Sequence, residues 1–224
     1  IKPNAIVINA TIRSMKYIGG VSKEEINKEN IEAIEKGIAN LRVHILNMLK
    51  YTKNILVCLN RFSFDTDKEI EYVRKYVENM GVLFGISECF SKGSLGGIDL
   101  AKKLVELCNQ GIDYKPLYDY NEPIISKIEK ICHEIYHASD VIISDKAMAK
   151  IKEYEKNGFD KTPICIAKTQ YSLTDNQKIL GAPENFKMTV TDVRLSAGAG
   201  FIVCLMGNIM TMPGLSKEPA YLKM

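Results

Sequence analysis

His133-Glu134-Ile135-Tyr136-His137 satisfies H-E-x-x-H, in which two histidines one helical turn apart bind zinc and the glutamate polarises an attacking water. Ile124, Ile128, Ile131, Cys132 and Ile135 mark the apolar face of the helix that carries it. At about 100° per residue, both histidines fall on the solvent side. Zinc also needs a third protein ligand, yet Asp140 and Ile143 stand where a metzincin extension has Gly and His. His44 is the only other histidine, and Glu153 or Glu155 are the conceivable downstream carboxylates. The motif reads as a solvated face with no metal, and a zinc metallopeptidase is the rival reading.

Asn60, Arg61, Phe62, Ser63, Phe64 and Asp65 follow the apolar run Asn54–Asn60 (NILVCLN). The carboxyl end of a strand in an open α/β sheet is where ligands bind. Asn60 and Asp65 can read the edge of a heterocycle there, and Phe62 offers a stacking face. Equally, Asp65 or Thr66 can cap the next helix while the aromatics pack. Phe90–Gly97 (FSKGSLGG) stands between a strand and a helix. Its backbone N–H groups, with Lys92 beside Gly93, can hold an anion, or the segment is a plain connecting turn. Its spacing is not that of a Walker A loop. Phe90, like Phe62, stands just past a strand end, so the two rings could grip a flat heterocycle from both faces. Gly198, Gly200, Gly207 and Gly214 lack the third glycine of G-x-G-x-x-G, where Val203 stands, and read as close backbone packing.

The elements that position these groups alternate. Ala5–Ala10 reads as a buried strand. From Lys28 to about Tyr51, Ile31, Ile34, Ile38, Leu41, Ile45 and Met48 recur at three and four, one face of a long amphipathic helix. Asn54–Asn60 reads as a strand covered on both faces. Thr66-x-x-Glu69 is a capping box opening a helix to about Met80, which Gly81 ends. Val82–Ser87 is the next strand and Ile98–Asn109 the next helix. This order predicts a parallel α/β sheet. The turn-rich Gly111–Pro123 is the candidate boundary. Beyond it come helices over about Ile124–Ala138 and Asp145–Asn157, a strand at Pro163–Ala167, and a glycine-punctuated tail.

The 224 residues suit one large domain or two small ones. Lys+Arg 30 against Asp+Glu 27 leaves no charge footprint for nucleic acid or an anionic membrane. No apolar run is long enough to span a bilayer. Of six cysteines, Cys58, Cys165 and Cys204 sit inside apolar runs and no C-x-x-C occurs, which points to free thiols in a reducing, cytoplasmic setting. Membrane, disordered and disulfide-rich secreted classes are excluded.

AKTQYSL (Ala167–Leu173), LGAP (Leu180–Pro183), DVRLSAGAGFIV (Asp192–Val203) and IMTMPGL (Ile209–Leu215) together resemble the C-terminal part of formate–tetrahydrofolate ligase, bacterial monofunctional type. The resemblance continues through GGV-x-K-E-E-I-N-K-E-N (Gly19–Asn30), N-L-x-x-H (Asn40–His44) and N-x-F-x-x-D-T (Asn60–Thr66). It implies ATP-dependent ligation of formate to tetrahydrofolate, giving 10-formyltetrahydrofolate via formyl phosphate. It further implies Mg with the ATP and a homotetramer. Two aromatics hold the folate ring in that family, at positions matching Phe62 and Phe90. Asn60, Asp65, Lys92 and Gly93 are candidate nucleotide or substrate contacts, and Lys92 and Lys168 candidates for the polyglutamate tail. The fold implied is the C-terminal part of a parallel-sheet P-loop-type nucleotide domain, residues 1–110, followed by a smaller α/β domain, residues 111–224.

This sequence departs from the family pattern at several positions. Phe90 replaces the common Trp, Ile18 a His, His137 a Gly and Thr191 an Arg, while K-G-G-x-G-G appears as Lys92–Gly97 (KGSLGG). The family's ATP-binding P-loop is not among these residues. The expectation is a C-terminal piece that carries the folate side and is inactive alone. A non-catalytic truncated paralogue is the further alternative.

Overall fold

The computed structural model describes residues 2–207 and 209. The chain opens with β1 (Ile6–Ala10), α1 (Ile12–Ile18), α2 (Ile31–Leu49), β2 (Ile55–Asn60), α3 (Asp67–Asn79) and β3 (Leu83–Ser87). The short α4 (Cys89–Lys92) and a 3-10 turn over Gly93–Gly97 then lead into α5 (Ile98–Asn109). The three strands form one parallel sheet in the order β1-β2-β3, with Leu59 registered on Ala10 and Asn60 on Ser87. β2 is central, α2 and α5 pack against it, and its residues before Asn60 are buried. That is why its sequence is an unbroken apolar run rather than an alternation. α2, α3 and α5 match the sequence reading within a few residues, whereas α1 and the short α4 were not anticipated.

α1 and α2 cross closely. A Cβ on Gly37, within α2, would lie 1.9 Å from the Met15 carbonyl oxygen, and one on Gly19 would lie 2.0 Å from that of Ala33. Helix propensity alone predicts that Gly37→Ala stabilises by about 1 kcal/mol. The contact reverses the sign, and a net loss of about 1–3 kcal/mol is expected from overpacking. Denaturant unfolding measures it; a variant at least as stable as the parent would show that the two helices separate at no cost.

The second half contains α6 (Ile124–Glu134), β4 (Asp140–Ile143), α7 (Asp145–Lys156), β5 (Ile164–Ala167), β6 (Lys187–Ser196) and β7 (Phe201–Met206). Its sheet runs β4-β6-β7-β5, parallel at β4–β6 and β5–β7 and antiparallel at β6–β7. Gly214 lies outside the described residues, and the described part of the glycine-punctuated tail is largely the β6–β7 hairpin. Its turn closes when the Gly200 N–H donates to the Ser196 carbonyl, with Gly200 at φ 71°. Asp192 on β6 takes ammonium contacts from Lys150 (2.7 Å) and Lys146 (3.0 Å), and the Lys150 hydrogen bond foremost holds its carboxyl at about 2.

Two sequence expectations are corrected here. The helix expected to reach Ala138 ends at Glu134, because His137 turns left-handed at φ 61° and the Ala138 N–H returns to the Cys132 carbonyl. The resembled family has glycine at this position, the residue for which such a φ costs least. Strand β4 occupies Asp140–Ile143, where no element was expected. One hydrophobic cluster gathers Ala10 to Phe84 and a second Ile124 to Met206. No helix among the described residues is long and apolar enough to cross a membrane.

Candidate functional site

The carboxyl ends of three adjacent parallel strands converge on one edge of the first sheet. Phe62 stands two residues past β2 and Phe90 three past β3, on α4. Phe62 is half-buried; Phe90 is 98% exposed. Asn60 closes β2 beside Ser87 of β3, with no side-chain hydrogen bond among the described residues. That leaves its amide free to donate and accept.

Asp65 is buried and accepts the Phe62 N–H at 2.8 Å. Burial raises its carboxyl above the ordinary range, and the Phe62 hydrogen bond opposes that shift. The side chain thus staples the turn that presents Phe62. Thr66 then opens α3 with the full capping box: its hydroxyl accepts from Glu69 N, and Glu69 Oε2 accepts from Thr66 N.

On the β3 side, Lys92 reaches the Glu88 carboxylate at 2.5 Å, and its hydrogen bond lowers the Glu88 pKa. Arg61 bridges Asp67 at 2.9 Å and Glu88 at 3.7 Å. Gly93 sits at φ 58°, and the glycine-rich turn folds back so that the Glu88 N–H meets the Gly96 carbonyl. A Cβ on Gly96 would lie 2.5 Å from Glu88 backbone atoms. Lys92 and Gly96 are thus engaged with Glu88.

Sequence reasoning missed Arg13. Its guanidinium lies 5.3 Å from the centre of the Phe62 ring. Arg13 follows the carboxyl end of β1 much as Phe62 follows that of β2, but only the pairing of β1 with β2 makes them neighbours.

The remaining candidates lie elsewhere. Lys168 donates to the carbonyls of Thr169, Ser172 and Thr174 and lies 4.8 Å above the Tyr136 ring. Burial lowers its pKa to about 8. Its charge is spent organising its own loop. A cavity of about 280 Å³ separates α1 and α2 from that loop, with Tyr17, Asn40, His44 and Gln170 in its wall. A tyrosine-lined cleft of about 400 Å³ lies beside Tyr51, Tyr118 and Tyr136. Neither includes Phe62 or Phe90.

His133 and His137 do not share a helical turn. His133 Nδ1 faces the Ala138 carbonyl at 2.8 Å, and His137, beyond the helix, meets Asn47 Oδ1 at 3.1 Å. Among the described residues, no three His, Cys, Asp or Glu side chains converge on a common point, so H-E-x-x-H gains no third ligand of these types there.

The family model for formate–tetrahydrofolate ligase matches residues 1–224. The formate–tetrahydrofolate ligases of Staphylococcus aureus strains Newman and USA300 are each 46% identical over 222 residues, 99% of this chain. The chain spans 40% of the length of these relatives. On this match, the chain belongs to the formate–tetrahydrofolate ligase family.

Proposed function

We propose that this chain forms the folate side of an ATP-dependent ligase that joins formate to tetrahydrofolate. One observation carries the reading: two aromatic side chains stand past the carboxyl ends of neighbouring parallel strands, where open α/β sheets bind ligands. In this reading the pterin ring stacks between Phe62 and Phe90, and the Asn60 amide meets a ring edge. Asp65 contributes by holding the turn under Phe62. Lys92 and Gly93 supply the rim on the β3 side, with Lys92 partly neutralised by Glu88.

The chemistry requires activation because formate is a poor electrophile. Its carboxylate oxygen attacks the γ-phosphorus of ATP, releasing ADP and giving formyl phosphate. The folate amine then attacks the formyl carbon, phosphate leaves, and the amine proton passes to solvent. Catalysis of both steps rests on positioning and charge neutralisation. This chain's contribution is to fix the amine by gripping the ring beside it. Mg with ATP, and the P-loop that cradles the phosphates, belong to family sequence outside these residues. In the same reading, residues 1–110 complete a P-loop-type nucleotide and folate domain, 111–224 form the second α/β domain, and the ligase acts as a cytoplasmic homotetramer.

The test is product formation by a polypeptide in which this sequence is continuous with the family's phosphate-binding loop. 10-Formyltetrahydrofolate is expected only when formate, ATP and tetrahydrofolate are all supplied, with one ADP released per product. ATP hydrolysis indifferent to folate would remove the proposal.

A further inference from the structure

Arg13 lies three residues beyond β1, is exposed, and has no side-chain hydrogen bond or ion pair among the described residues. The other cations at this end of the sheet are neutralised: Arg61 by Asp67 and Glu88, Lys92 by Glu88. What Arg13 does have is the Phe62 ring, 5.3 Å from guanidinium carbon to ring centre. Such a contact is a cation–π interaction, for which the planar guanidinium is better suited than an ammonium.

The strand order gives this contact a direction. In the sheet β1-β2-β3, the ends of β1 and β3 flank that of β2 on opposite sides. Arg13 therefore approaches Phe62 from the β1 flank, and Phe90 stands on the β3 flank. Asp65 meanwhile fixes the backbone of Phe62 through its N–H. One device sets where the residue sits, and the other can set how its ring turns.

We propose that Arg13 is a positioning residue for the folate site: it covers the β1-side flank of Phe62, holds the ring orientation, and leaves the face toward Phe90 open to the pterin. The inference rests on the ring-clamp reading above. Arg13 itself touches neither the pterin nor the reacting atoms, so its influence runs wholly through Phe62.

Steady-state kinetics on Arg13→Gln, Arg13→Lys, Phe62→Ala and the Arg13→Gln/Phe62→Ala pair, each in a polypeptide continuous with the family's phosphate-binding loop, tests it. Arg13→Gln is expected to raise the folate KM by about two- to fivefold, the worth of an exposed cation–π contact. kcat and the KM values for formate and ATP stay at the parent values. Arg13→Lys keeps the charge but not the planar stack, and falls between parent and Arg13→Gln. The double variant is no worse than Phe62→Ala alone, because without the ring Arg13 has nothing to position. If Phe62→Ala raises the folate KM and Arg13→Gln does not, the role of Arg13 is overturned and the clamp stands. If Phe62→Ala has no effect, the clamp falls and the inference with it. A fall in kcat at constant folate KM in Arg13→Gln also overturns it, since a positioning role through Phe62 acts on binding.

Discussion

Lys16→Met is expected to destabilise the first half of the chain by about 3–5 kcal/mol, the cost of leaving a buried charge without its partner. Lys16 and Glu69 are both fully buried, with Nζ to Oε1 at 3.0 Å. The same Glu69 oxygen accepts the Asn30 N–H at 3.0 Å, and the other accepts that of Thr66 at 3.0 Å. Lys16 adds a bond to the Lys28 carbonyl at 3.1 Å. One carboxylate thus ties α1 to the N-termini of α2 and α3. With Lys16 gone, its negative charge stays in a site closed to water, and the backbone donors alone do not neutralise it. For a chain of this size the loss corresponds to about 2–4 °C in melting temperature per kcal/mol. The double change Lys16→Met/Glu69→Leu is expected to recover part of it, since two apolar side chains leave no orphaned charge. A single-variant loss below about 1 kcal/mol would mean that water reaches the pair. The pair also bears on the site: Arg13 sits one turn before Lys16 on α1, and Phe62 just before the helix that carries Glu69.

Local signals were legible wherever one element carries its own reason to form. The run Asn54–Asn60 reads as a strand covered on both faces because Ile55–Leu59 are all apolar, and those five residues are buried as that requires. Thr66 and Glu69 read as a capping box because the motif is closed within four residues. The second role of Glu69, binding Lys16 and Asn30, spans 53 and 39 positions and leaves no local trace. α6 was extended too far because Ile135 continues the helical periodicity past the true end. What stops the helix is the left-handed backbone at His137, a residue type that does not announce it. β4 was missed because four residues between two helices look like a connection until β6 pairs with them. The same division holds at the site. Phe62 and Phe90 were visible as aromatics after strand-like runs, whereas Arg13 needed the strand order.

Under the proposed ring clamp, Phe62→Ala in a polypeptide continuous with the family's phosphate-binding loop is expected to raise the folate KM by about tenfold or more, which corresponds to about 1.4 kcal/mol. Stacking contributes about 0.5–1.5 kcal/mol beyond the apolar area buried, and truncation to Ala forfeits both terms on one face of the pterin. kcat at saturating folate should change less, because the proposed clamp grips the ring away from the bond being formed. The two clamp positions should not respond equally. Phe62 is half-buried, stapled by Asp65 and overlain by Arg13, so its ring is largely ordered before folate arrives. Phe90 is 98% exposed on a four-residue helix and must surrender rotamer freedom on binding. That ordering costs about 0.5–1.5 kcal/mol and offsets part of what its stacking contributes. Phe90→Ala should therefore raise the folate KM in the same direction but by less than Phe62→Ala. Phe90→Trp, which restores the residue common in the family, should lower it by presenting a larger face. Calorimetric titration with a folate, alongside the steady-state values, separates binding from turnover. Parent-like folate affinity in both alanine variants would leave the two rings without a role and the pterin without a site on this edge of the sheet.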